Sequence, residues 1–317
     1  MNAYYASIWE DIMNNNFFKK GICLALCLVL SVFALAGCGS SAAPAEQPAA
    51  TEAPAAEEAA APAEAAAPAE EAASEGLLDS IKAKGKLVVG TEAQYAPYEF
   101  KDLDANFAGC DMWLAQQIAD AIGVELEVVD MAFDGIIPAV QSGQVDLGIA
   151  AFTKTPERAE VIDFSDLYET SAQLLIVKTG NAGLYSTKEA LAGQKVGAQK
   201  GTIQSQLILS ALPDSELFEL EKYPALGLEV QNGNIAGLVV DQAVGESLVA
   251  TSNGGLEVSN FEFTAEEASF GKAVVAAKGN EDLLAVVNEV IAKVTADGSY
   301  QQAYDSAVEL AASLGLG

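Results

Sequence analysis

At 317 residues, 51 % of them apolar, the chain is long enough for one or two domains with buried cores. It carries 45 Asp and Glu against 16 Lys and Arg, a formal charge of −29, and no His. Nucleic acid and anionic membrane surfaces are therefore disfavoured as partners, since both would repel it, and His-based catalysis and His metal ligation are excluded.

Lys19-Lys20 precede the apolar run GICLALCLVLSVFALAGC, residues 21–38. The run is too short and wrongly flanked for a membrane span but suits a secretory signal. It ends in Leu35-Ala36-Gly37-Cys38, which resembles the bacterial lipobox. That resemblance implies a signal peptide over 1–37, cleavage before Cys38 and lipidation of Cys38. Met13, followed by NNNFFKK, makes a more natural start than Met1. Residues 39–75 contain no aromatic, Lys or Arg and repeat Ala, Pro and Glu. Such a segment cannot bury a core, so 38–75 reads as an extended tether with a reach of about 100 Å. With Cys23 and Cys27 removed and Cys38 lipidated, only Cys110 remains, and no intrachain disulfide is expected.

The rest alternates strand and helix signals. KLVVGT (86–91) reads as a strand, MWLAQQIADAIG (112–123) as an amphipathic helix, VELEVVDM (124–131) as a strand, FDGIIPAVQSG (133–143) as a helix and VDLGIAAF (145–152) as a strand. AQLLIVK (172–178) is a strand leaving this unit. A second unit follows: QKVGAQKGT (194–202) as strand and Gly turn, IQSQLILSAL (203–212) as a helix, and a helix-like stretch before the strand AGLVVD within 227–241. SFGKAVVAAKG (269–279) reads as another strand, and 281–308 as two helices separated by Asp297-Gly298. The rhythm predicts an α/β fold with two lobes and strands crossing between them near 172–178 and 268–275.

Ligands in open α/β sheets sit beyond the C-terminal ends of strands. Thr91–Tyr95, Ala150–Thr153, Gln199–Ile203 and Asp241 occupy such places. Near the second stands Arg158, the only arginine of the chain. Thr155 suits an N-cap and Pro156 the first helical position, which puts Arg158 in a first turn where the helix dipole disfavours a cation. A bound anion explains it, because Arg grips a carboxylate with two parallel hydrogen bonds. A surface ion pair with Glu157 or Glu160 explains it equally well. Arg158 in one lobe and Asp241 in the other suit a zwitterion between them.

LVVGTEAQYAPYEF (87–100), FDGIIPAVQSGQVDLGIAAFTKTPERAEVIDFSDLY (133–168), VGAQKGT (196–202) and GSYQQAYDSA (298–307) together resemble the amino-acid-binding solute receptors of bacterial ABC importers (family 3 type). The resemblance covers essentially all of 76–317. It implies a type II periplasmic-binding fold with two hinge crossings, lobe 1 being 76–173 with 275–317 and lobe 2 being 174–274. It also implies that Arg158 clamps the ligand α-carboxylate with help from the Thr153 hydroxyl and the Thr202 region, with Gln199 nearby. Asp241 and a backbone carbonyl near Ala150 or Ala151 take the α-ammonium. Tyr95 and Phe133 cover the ligand side chain, and Glu92 touches its distal part. From the residues alone, Tyr95 and Phe133 also fit a plain core, Asp241, Thr153 and Thr202 fit helix caps, and Glu92 and Lys200 fit solvated charges. Cys110, Ala151, Gly237 and Val240 depart from the common pattern.

The expected function is that of a lipid-anchored receptor on the extracytoplasmic face of the cell membrane. A monomer, it captures a polar or cationic L-amino acid by lobe closure and delivers it to a cognate ABC permease. No chemistry, cofactor, metal or nucleic acid is implied, and the membrane is touched only through the lipid. A dehydratase-like enzyme on the same fold, with Glu92 as general acid, is the second reading, and a sensor domain the third.

Overall fold

The computed structural model describes residues 76–268 and 270–316, all within the unit Pro68–Gly317. The expected signal peptide, Cys38 and the tether lie outside these residues. Helix α1 (Leu77–Lys84) leads into strand β1 (Lys86–Thr91). A small antiparallel meander follows, β2 (Gln94–Tyr95), β3 (Glu99–Lys101) and β4 (Phe107–Ala108), then α2 (Cys110–Ile122), β5 (Glu125–Asp130), α3 (Phe133–Gln141) and β6 (Leu147–Gly148). After helix α4 (Pro156–Val161) and β7 (Asp163–Phe164) the chain crosses out through β8 (Glu169–Ser171). The second lobe holds β9 (Gln173–Lys178), α5 (Lys188–Leu191), β10 (Lys195–Gln199), α6 (Ile203–Ala211), β11 (Glu216–Leu220), α7 (Tyr223–Asn232), β12 (Gly237–Asp241), α8 (Gln242–Thr251), β13 (Leu256–Val258) and α9 (Ala265–Ala268). The chain returns through β14 (Phe270–Lys272) to β15 (Val275–Ala276), then α10 (Glu281–Ala296) and α11 (Ser299–Leu314).

Two five-stranded sheets result, ordered β5-β1-β6-β15-β7 and β11-β10-β12-β9-β13. In each, the strands followed by helices run parallel, β1 with β5 and β6, and β10 with β11 and β12. In the first sheet β15 is antiparallel to its neighbours, as is β9 in the second. The antiparallel ladder β8–β14 is the double crossing between lobes, pairing Ser171 with Phe270 and Glu169 with Lys272. This is the type II periplasmic-binding architecture.

The apolar face of each sheet is covered by helices. Leu87, Val89 and Leu147 pack with Leu114 and Ile118 of α2 and Leu283 and Val287 of α10, all fully buried. Leu175, Val177, Val196 and Val239 pack with Leu207 and Ile208 of α6. Each fully buried Leu or Ile stabilises by about 1.5–3 kcal/mol relative to exposure.

Three expectations need correction. The apolar run 145–152 is strand only over Leu147–Gly148, flanked by hydrogen bonds from Asp146 N–H to Val88 O and Ile149 N–H to Gly90 O, and Ala151 beyond it lies in the left-handed region at φ 48°. The run 269–279 is two strands in two different sheets, with a bend between Lys272 and Val275. The outward crossing is Glu169–Ser171, whereas 173–178 already belongs to the second sheet.

Candidate functional site

The C-terminal ends of β1, β6, β10 and β12 converge on one cleft between the lobes. A small cavity of about 20 Å³ lies there, and all ten residues expected at a site line it: Glu92, Tyr95, Phe133, Ala150, Ala151, Thr153, Arg158, Gln199, Thr202 and Asp241. The lobes touch across it, with Lys200 paired to Asp134 at its rim at 2.8 Å.

The Arg158 position follows from local rules. Thr155 caps α4 by accepting the Arg158 N–H at 3.2 Å, and Pro156 opens the helix. The guanidinium donates to Thr153 O at 2.8 Å and, across the cleft, to Gly201 O at 3.0 Å. It lies 5.5 Å from the ring centres of both Phe133 and Phe152. It makes no ion pair among the described residues, so neither Glu157 nor Glu160 holds it. Burial alone lowers its pKa from 12.5 to about 10. This is a desolvated cation with donors to spare.

The opposite wall is anionic. Asp241 ends β12, directly across from Gln173 in the β12–β9 register. It precedes α8 but does not cap it. Its carboxylate accepts from Tyr95 Oη, from Gln173 Nε2 at 2.8 Å and from Lys272 Nζ at 3.1 Å. Burial would raise its pKa, but the Lys272 charge and these hydrogen bonds prevail and hold it below the ordinary carboxylate value. Glu92, 3 % exposed, accepts from Gln199 Nε2 at 3.3 Å. Burial pushes its pKa to about 7, against the Gln199 hydrogen bond and the Lys222 charge.

Tyr95 and Phe133 both line the cavity, but each stacks on a different partner. Tyr95 meets Tyr223 at 4.9 Å and Tyr98 at 5.7 Å, and Phe133 stacks on Phe152 at 4.7 Å. Thr202 sits before α6 without capping it and donates its hydroxyl to Gln199 O at 2.6 Å. The sequence reading missed Glu99, Gln204 and Tyr223 in the wall, and Lys272 and Gln173 behind Asp241. Lys272 carries a legible signal, a lone charge inside an apolar run.

A profile of the bacterial extracellular solute-binding proteins, family 3, matches residues 87–308. The chain belongs to that family. The L-cystine-binding protein TcyJ of Escherichia coli (strain K12) is 33 % identical over 229 residues, 72 % of this chain and 85 % of TcyJ. Among solved structures, the amino-acid ABC transporter substrate-binding protein AbpA from Streptococcus pneumoniae, bound to L-arginine, has a TM-score of 0.71 at 33 % identity, covering 75 % of this chain and 99 % of that one. An ancestral amino-acid-binding protein described as a precursor of cyclohexadienyl dehydratase has a TM-score of 0.67 at 34 % identity, covering 73 % and 98 %. This family 3 protein is thus an amino-acid-binding solute receptor of the ABC importer type. Among the described residues no group of acidic, Cys or His side chains is placed to hold a metal, and no helix is long and apolar enough to cross a membrane.

Proposed function

We propose that this receptor captures an L-amino acid with a polar or cationic side chain and hands it to a cognate permease, acting as a monomer tethered outside the membrane by lipidated Cys38. The observation that carries the ligand class is the charge lining one cavity: Arg158, without a counter-anion among the described residues, together with the carboxyl groups of Asp241 and Glu92. Arg158 takes the α-carboxylate with the Thr153 hydroxyl and the Thr202 region. Asp241 and the carbonyls of Ala150–Ala151 take the α-ammonium. Tyr95 and Phe133 flank the side chain, and Glu92, with Gln199, meets its far end. Lobe 1, residues 76–173 with 275–317, and lobe 2, residues 174–274, close over the ligand about the β8–β14 ladder.

The relatives support this, since TcyJ is named for L-cystine and AbpA was solved with L-arginine, ligands whose far ends are zwitterionic and cationic and so polar in both cases. The test is a calorimetric and thermal-shift screen against the twenty L-amino acids and L-cystine, after refolding to strip carried-over ligand. Binding of a cationic or amide-bearing amino acid is expected. Binding of only apolar or acidic members would overturn the assignment of Glu92. A second reading rests on the raised pKa of Glu92 and the likeness to the dehydratase precursor: general-acid catalysis of water loss from a small cyclohexadienyl acid. Turnover of such an acid, lost in Glu92→Gln, would favour it over the receptor.

A further inference from the structure

Two carboxyl groups at the edge of the cavity have no role in the account so far. Glu99 on β3 is 1 % exposed and lines the cavity, and Asp111 in the first turn of α2 is fully buried behind it. Gly109 brings them together. Its φ of 115° and the approach of Tyr98 O, 2.0 Å from where a Cβ would stand, let the start of α2 lie flush against β3. Tyr98 O then accepts the Asp111 N–H at 2.9 Å.

Asp111 Oδ2 accepts the N–H of Ala151 at 2.7 Å and the Tyr168 hydroxyl at 2.9 Å. Its other oxygen, Oδ1, and Glu99 Oε2 are both buried and receive no hydrogen bond from any donor among the described residues. The two carboxyl groups spring from adjacent backbone, with the Asp111 N–H on Tyr98 O and Gly109 packed against the Tyr98–Glu99 peptide, and each leaves one buried oxygen without a donor among the described residues. Two ionised carboxylates do not persist side by side in a dry site, whereas one proton between them makes a short, strong O–H···O⁻ bond.

The surroundings offer no other remedy. Facing the pair are Glu92 beyond β1, Glu169 on β8, Tyr168 before it, Cys110 on α2, Tyr300 on α11 and Lys272 on β14. Lys272, the one cation among them, is 3.1 Å from Asp241 and 3.9 Å from Glu169. Burial first and then the Asp111 charge push Glu99 well above the ordinary range, and burial raises Asp111 to about 6 against the hydrogen bonds from Ala151 and Tyr168.

The ionised Asp111 has a task, since Ala151 is a non-glycine residue held at φ 48° by this N–H bond. We infer that Glu99 and Asp111 share one proton, and that the protonated pair is a positioning device for the Ala150–Ala151 turn, which presents its carbonyls to the ligand ammonium. The second half rests on the amino-acid reading given above, and the first does not.

The test uses the full chain and needs no ligand for its first two arms. In a Glu92→Gln background, infrared spectra at neutral pH and above should show a protonated carboxyl C=O band that disappears in Glu99→Gln. In Asp111→Asn it should shift in frequency, because burial still holds Glu99 protonated while its partner has become an amide. Amide exchange at Ala151 should quicken about tenfold or more in Glu99→Leu, and Glu99→Gln, whose amide still donates to Asp111, should restore protection. Affinity for L-arginine as probe should fall in Glu99→Leu and recover most of the loss in Glu99→Gln. Absence of the band, or a folded Glu99→Leu with unchanged Ala151 exchange, overturns the inference. If Glu99→Leu fails to fold, the Asp111→Asn spectrum decides the shared proton and Ala151 exchange in Glu99→Ala decides the positioning. If L-arginine does not bind the parent protein while both ligand-free arms hold, the pair stands and the amino-acid reading needs revision.

Discussion

Replacing Arg158 by Met separates a binding role from a structural one. In the ligand-free protein the fall of its pKa from 12.5 to about 10 amounts to about 3 kcal/mol of disfavoured charge. Its two hydrogen bonds to carbonyls, at 2.8 and 3.0 Å, return about 1.5–3 kcal/mol each. These terms oppose, and Met packs beside the stacked pair of Phe133 and Phe152 where the guanidinium lay. Urea unfolding without ligand should therefore shift by no more than about 2 kcal/mol. With ligand the same change breaks a buried pair between guanidinium and carboxylate, which costs about 3–5 kcal/mol. That weakens binding by roughly 10²- to 10³-fold or more. At a ligand concentration about 100 times the parent Kd, the parent gains about 2.7 kcal/mol of stability and the variant under about 0.5. Thermal shift and calorimetry on both proteins read the two numbers. Binding within about threefold of the parent would refute the carboxylate clamp, and so would a ligand-free loss above about 4 kcal/mol, which would make Arg158 a strut between lobes.

Glu92 titrates in the folded protein near pH 7, above its ordinary 4.5, so its stabilising contribution is complete below the lower value and is lost as pH rises through the upper one. Between them the parent should lose up to about 3 kcal/mol that Glu92→Gln retains, read by urea titration across pH. Tyr95→Phe leaves the ring stacked on Tyr223 but removes the hydroxyl donor to Asp241, and chemical denaturation should show a loss of about 1.5–3 kcal/mol. Gly201→Ala places a Cβ at φ 76° and 2.9 Å from Asp134 Cβ across the cleft, costing about 1 kcal/mol or more in the closed state. Small-angle scattering with ligand should show a larger radius than the parent, and a closed liganded variant would contradict this.

How far the sequence discloses this molecule depends on the kind of signal. Arg158 is legible as a candidate because a lone arginine after Thr155-Pro156 stands against the helix dipole, but only the structure shows that neither Glu157 nor Glu160 pairs with it. The strands β1, β10 and β12 are legible because buried parallel strands are continuous apolar runs. The meander β2–β4 is not, since strands of two or three residues show no period. Neither is α8, where Gly, Ser and Glu interrupt the apolar positions of Gln242–Thr251. The run 145–152 misleads because apolarity reports burial, and Ala150–Phe152 are buried without pairing in the sheet. Glu99 and Asp111 are invisible as a pair in the sequence, because what joins them is the backbone contact of Gly109 with Tyr98, which twelve residues of separation do not disclose.

Strand β15 has a consequence for how the molecule is made. It pairs with β6 and β7 in the first sheet, yet it follows the whole of the second sheet in the chain. Until residues 275–276 are in place, the first sheet has a gap between β6 and β7, and two backbone edges are unpaired. The second sheet, drawn from one uninterrupted stretch, can finish first. The half of the molecule that begins earliest therefore matures last, and a truncated product ending before residue 275 would carry an open edge ready to pair with another chain.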